Sequence, residues 1–178
     1  MLGILLVTSE WSQRTALTTF ALVPRRSRVL AAKGAAATVL AVLGALASGV
    51  VSALGAALTP VLTDSAAHWS TSAAQLGQIA LVDVLYVVGG VAFGLLLLSS
   101  PLAIVTYFAL PIAFTILVNA VAALDWVRDW LDLSTTTMPM YDGDLDGQGW
   151  LQVATSTALW VVAPMVAGWV RIERSEIS

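Results

Sequence analysis

Long apolar blocks alternate with short polar ones along this chain, and the blocks are too long for the core of a soluble domain. Gly34 to Leu62 is a run of 29 residues without Lys, Arg, Asp or Glu. About 20 suffice to cross the hydrocarbon of a bilayer, so this run has length to tilt or to project beyond it. Three more apolar blocks follow. The pattern predicts an all-α, polytopic helical membrane protein, a single transmembrane domain over residues 1–178 with complete spans at 34–59, 78–98, 102–124 and 151–170. Residues 1–8, MLGILLVT, are apolar but far shorter than a span. They read as the last turns of a helix that begins upstream, so the chain is expected to be incomplete at its N-terminus.

The polar blocks differ in kind. Glu10 to Leu22 has Trp11, Leu17, Phe20 and Ala21 near one helical face and Glu10, Arg14 and Thr18 near another, the mark of an amphipathic helix. Pro24 ends it, and Arg25, Arg26, Arg28 and Lys33 follow. Arginines on anionic lipid would explain this stretch as well as a protein contact would. Residues 60–77 form a polar loop with Asp64 and His68. His68 has no partner nearby in sequence and reads as a solvated loop residue. Ser99-Ser100-Pro101 is a minimal turn with proline opening the next helix. Pro111 and Pro164 are expected to kink their spans.

Residues 125–150 form the largest loop. It opens with DWVRDWLDL, where Trp126, Trp130 and Leu133 share one face and Asp125, Arg128, Asp129 and Asp132 the other. That pattern predicts an interfacial helix with tryptophans at headgroup level; a short re-entrant segment closing the end of a pathway is the alternative. Next comes DGDLDG. Asp142, Asp144 and Asp146 match the first half of a calcium loop, but Val153 stands where the bidentate acidic ligand belongs. They are a weak calcium candidate, and an acidic turn explains them better.

Inside the first span small residues recur every fourth position: Ala37, Ala41, Ala45, Gly49, Ala53 and Ala57. Small side chains let helix backbones approach closely in lipid, so Ala41, Ala45, Gly49 and Ala53 are candidate packing positions, with Gly90 and Gly94 of a GxxxG pair in the second span. The other reading of such a face is a path lining. Ser48 and Ser52 beside the ladder, Asp83 in the second span and Asn119 in the third are the polar candidates for that path. A carboxylate in a membrane should face the bundle interior or water; Asp83 either belongs to a path or sits hydrated near one end of its helix.

Composition sharpens this picture. The chain is 58% hydrophobic and 11% charged, against about 25% charged in soluble domains. It has no cysteine, which excludes disulfides and thiolate sites. The net charge of −3 is less informative than its distribution. If residues 9–33 and the C-terminus are cytosolic, seven of the eight basic residues lie inside and only Arg128 outside. Asp64, Asp125, Asp129, Asp132, Asp142, Asp144 and Asp146 then lie in the extracellular loops, in accord with the positive-inside rule. Basic residues so placed mark topology and lipid, not nucleic acid. No P-loop, HExxH motif or nucleophile–base pair is present in the sequence, so no enzyme activity and no cofactor are expected on this chain.

Gly3-Ile4-Leu5, Glu10-Trp11, Thr15, Phe20 and the run PRRSRVLAAK from Pro24 to Lys33 carry a resemblance. The stretch from Leu2 to Lys33 resembles the ABC-2 type transporter permeases, particularly those of GC-rich bacteria. There an apolar helix ends in glutamate and is followed by a Thr-containing amphipathic segment, a Pro-Arg-Arg cluster and a lysine opening the next helix. The resemblance implies six spans, dimerisation with the same or another permease, a bacterial cell membrane, and a cytosolic ATP-binding subunit that holds ATP and Mg. It implies that the segment after the second span docks on that ATPase. The coupling role then falls on Glu10, Thr15, Pro24, Arg25, Arg26, Arg28 and Lys33, with Arg14 among them. Arg14 departs from the family, where many members have glycine, and the first span with most of the second is missing. A non-transporting scaffold, or an assembly or immunity factor acting through helix contacts, is the competing class.

Overall fold

The computed structural model describes residues 3–5, 8, 26–62 and 72–174. Among them every regular element is helical, as the apolar blocks predict. Four helices are long and apolar enough to cross a membrane. Helix α1 runs from Arg26 to Leu62, 37 residues with no breaker before Pro60. The first turns, with Arg26, Arg28 and Lys33, are therefore helix and not linker. Helix α2, Ala73–Leu97, begins ahead of the expected position 78 because Ser72 caps it, its hydroxyl accepting from Gln75 N–H at 3.1 Å. Leu98 closes α2 in the left-handed region, donating its N–H to the Gly94 carbonyl. Helix α3, Ser100–Ala120, starts with Pro101 in its first turn and runs through Pro111. It stops short of 124, where Ala122–Leu124 tighten into a 3-10 turn.

Helix α2 is the central element and packs against α1, α3 and the last span. Its buried run from Gly89 to Leu95 is where neighbours come closest. On one side, Ala37, Val91, Leu95 and Ile172 form a cluster. On another, the N-terminal segment lies along it. A Cβ on Gly3 would collide with the Val87 carbonyl, one on Gly90 would meet Ile4 at 3.4 Å, and Thr8 receives a hydrogen bond from Ser100 at 2.7 Å. The segment therefore descends along α2 towards the Leu98–Ser100 turn. Gly90 and Gly94 are both buried, and Gly90 meets the N-terminal segment.

The small-residue ladder of α1 is only partly used. Ala37 and Ala41 are buried, Ala45 and Gly49 half-buried, and Ala53 and Ala57 exposed. Nothing lies within 4 Å of a Cβ built on Gly44, Gly49 or Gly55. Val50, Val51, Leu54 and Leu58 are exposed along the same half. Gly49→Leu should accordingly leave the melting temperature of the isolated chain within a degree or two of wild type. A loss of several degrees would place an intrachain neighbour there.

The stretch 125–150 is not one surface helix. Helix α4, Asp125–Leu131, ends where Asp132 turns extended (φ −83, ψ 108), and α5, Leu133–Asp142, sets off from it. Leu133 packs with Phe93 and Trp160, while Met140, further along α5, packs with Val82 and Val153. Gln75 at the start of α2 donates to the Tyr141 carbonyl at 2.7 Å. Helix α5 thus runs antiparallel to α2, from Phe93 back towards its first turn, and α4 with α5 is a hairpin dipping between the spans. Trp126 is 65% exposed, as an interfacial tryptophan would be, whereas Asp132, on the polar face of the sequence pattern, lies at the hairpin tip and is only 2% exposed. Gly143 (φ +79) ends α5 in a conformation other residues adopt only with strain, and a Cβ there would stand 3.2 Å from the Gln75 Cβ. Helix α6, Gly147–Thr157, leads through a π-helical turn, Ala158–Val162, into α7, Ala163–Arg174. The expected kink at Pro164 takes this form: proline cannot donate to the Trp160 carbonyl, and the helix widens just before it.

Candidate functional site

A cavity of about 330 Å³ lies between the hairpin tip, α2, α3 and the π-helical turn. Its wall is aromatic: Tyr86, Phe93, Tyr107, Phe108 and Trp160. Phe93 and Tyr107 meet edge to face at 5.6 Å, as do Phe114 and Trp160 at 5.3 Å, a geometry that fixes the rings. The Tyr107 hydroxyl donates to the Tyr86 carbonyl at 2.7 Å. Phe108, Ile112 and Ile116 on α3 are exposed and form the open edge.

The polar part of the lining is concentrated at Asp132, Thr115 and Ser134. The Asp132 carboxylate accepts from Thr115 at 2.8 Å, from Ser134 at 3.0 and 3.1 Å, and from Thr135 at 2.6 Å. It also sits at the N-terminus of α5, where backbone dipoles favour negative charge. Among the described residues no cation pairs with it. Arg128, four residues away, is committed to Asp129 and Asp125, each at 3.0 Å. The hydrogen bond to Asp129 and its charge, with less from Asp125, push the Arg128 pKa above its usual value, so this cation stays charged and engaged.

The hairpin is held against the last span by donors that answer its free carbonyls. The last carbonyls of α4 have no partner within the helix. The Trp160 indole N–H donates to the Leu131 carbonyl at 2.7 Å, and the Thr155 hydroxyl to the Trp130 carbonyl at 2.9 Å. Thr136 and Ser156 share a buried hydrogen bond at 2.7 Å. Trp160→Phe should keep an aromatic ring beside Phe114 but lose the donor and part of the ring volume, leaving a part-buried carbonyl unanswered. A loss of about 1–3 kcal/mol of stability is expected, read from thermal unfolding in detergent.

The residues singled out from sequence are distributed differently. Ser48, Ser52, Asp83 and Asn119 lie on three helices, and none lines the cavity. Ser48 is exposed and bonds to the Gly44 carbonyl, and Asn119 donates to the Thr115 carbonyl of its own helix at 2.8 Å. Asp83 is half-buried. It lies close enough to Tyr141 to contribute, after burial and Tyr86, to pushing that phenol above its ordinary pKa. Asp142, Asp144 and Asp146 form a turn between helices: Gly143 caps α5, and Asp146 caps α6 by accepting from Gly149 N–H at 2.7 Å. Among the described residues no group of three or more His, Cys, Asp or Glu is arranged to hold a metal. Glu10, Arg14, Thr15, Pro24 and Arg25 lie outside the described residues. Asp132 itself was legible only in part. The run D-L-S-T-T-T is an acid followed by hydroxyls at a helix start, a pattern that marks an N-terminus rather than the middle of a surface helix.

Fold and cavity together define a polytopic helical membrane protein in which a helical hairpin carries a buried carboxylate to an aromatic cavity. No family model, no curated protein and no solved structure matches the chain.

Proposed function

We propose that this chain is the permease subunit of an ATP-binding-cassette exporter in a bacterial cell membrane. A separate cytosolic subunit binds ATP and Mg, and a second permease subunit completes the path. The observation that carries this reading is the gathering of basic positions at one end of the bundle. The N-terminal segment arrives at the Leu98–Ser100 turn through Thr8. Ala37 of α1 is level with Leu95, and Arg26 is eleven residues earlier, about 16 Å of helix, so the first turns of α1 run on past that turn. Arg171 donates to the Leu96 carbonyl at the same end, with Arg174 beyond it. In this reading residues 9–33 and the C-terminus lie in the cytosol; what supports it is that Thr8, the first turns of α1 and Arg171 stand at one end of the bundle. Asp125, Asp129, Asp142, Asp144 and Asp146 belong to the hairpin end.

In this reading closure of the ATPase pulls on residues 10–33, including Arg25, Arg26 and Arg28. The force passes along α1 and the N-terminal segment to α2, whose other face carries the cavity. Reversing Arg25 and Arg26 to glutamate should abolish export while leaving membrane insertion intact; normal export by the double variant would remove the coupling role.

The bare half of α1 favours a second reading, a scaffold that binds another membrane protein through Gly49 and Ala53. The two separate cleanly. A scaffold loses function with Gly49→Leu and acts without an ATPase, whereas the exporter depends on Arg25 and Arg26.

A further inference from the structure

We infer that the cavity between the hairpin tip and α3 is a binding site for a lipophilic monovalent cation, with the Asp132 carboxylate as its counter-charge and the surrounding aromatic rings as its wall. Calling such a cation the cargo rests on the exporter reading; the binding itself does not.

Three observations converge. First, Asp132 is 2% exposed, and all its side-chain partners among the described residues are hydroxyls. Hydroxyls orient a carboxylate but do not neutralise it, and an acid at this depth is costly without a positive partner. Second, the wall supplies what a poorly hydrated cation prefers. Tyr86, Phe93, Tyr107 and Trp160 present aromatic surface, to whose faces cations are drawn. Third, access is from the apolar side. The exposed edge is Phe108, Ile112 and Ile116, so a ligand entering there must partition into the apolar phase first. A strongly hydrated metal ion does not suit the apolar edge, and an anion does not suit the charge.

The test uses the full 178-residue chain in phosphatidylcholine nanodiscs, with empty nanodiscs as the blank. Binding of radiolabelled phenyltrimethylammonium is measured by equilibrium dialysis, and tert-butylbenzene, the same shape without the charge, is the competitor. Saturable binding is expected, weakened at least tenfold by Asp132→Asn and displaced poorly by tert-butylbenzene. Ile112→Trp, which narrows the exposed mouth without entering the core, should also weaken it at least tenfold. That variant carries the test if Asp132→Asn does not fold. Binding within twofold of wild type in a folded Asp132→Asn or Ile112→Trp protein would overturn the inference. So would equal displacement by the neutral isostere, or no saturable binding. Since no ATPase is present, this result is independent of export. Binding without ATP-driven export would overturn the exporter and keep the site; export without binding would do the reverse.

Discussion

Gly168→Leu should break the bundle apart where its last span crosses the central helix. A Cβ at Gly168 would stand 2.7 Å from the Leu95 carbonyl carbon and the Leu96 nitrogen, and 2.8 Å from the Leu95 Cβ. Backbone atoms inside a helix cannot step aside as a flexible side chain can, so α2 and α7 must separate. Alanine alone should cost about 1–3 kcal/mol, the usual range for overpacking a filled contact. Leucine should exceed it, because separating the helices also loosens Leu95 from Ile172 and Arg171 from the Leu96 carbonyl. The expected readout is a graded fall in the detergent melting temperature from glycine to alanine to leucine, with leucine aggregating on size exclusion. An unchanged melting temperature for the leucine variant would contradict the close crossing. Gly49→Leu is the control, since its site is open space.

Asp132→Ala should loosen the hairpin. Four hydrogen-bond contacts from three hydroxyls end on this carboxylate, and one of them, from Thr115, ties the hairpin tip to α3. Alanine leaves those hydroxyls without their shared acceptor in a place where water is scarce, at a cost of about 1–3 kcal/mol. Asparagine keeps one acceptor oxygen and should lose less than half as much. The pair also separates stability from recognition: asparagine should fold nearly as wild type and still fail to hold a cation. Protease accessibility in the 125–142 segment should rise in the alanine variant. Equal protection in alanine and wild type would mean that the hairpin is fastened without Asp132.

Length and hydropathy made the spans legible, because a run of apolar residues with no charge has few other uses. The ends were less legible. Helix α2 starts at Ala73 through a serine cap within a stretch that reads as polar loop, and α1 continues into its arginines because nothing there breaks a helix. The hairpin was hardest to read. Its DWVRDWLDL half has the amphipathic spacing of a surface helix. What turns it inward are long-range donors: Trp160 and Thr155, respectively 29 and 25 residues from the carbonyls they satisfy, and Thr115, 17 residues from Asp132. Periodicity within one segment carries no trace of such partners. The candidate path residues are polar positions inside spans, whereas the cavity draws its polar end from what the sequence presents as a loop.

The most direct test of the exporter account is a crosslinking pull-down from native membranes, with the chain tagged at Ser178 and the captured peptides identified by mass spectrometry. The account predicts a Walker-motif ATPase crosslinked near residues 10–33. Recovery of this chain alone, or only with other membrane proteins, would contradict it.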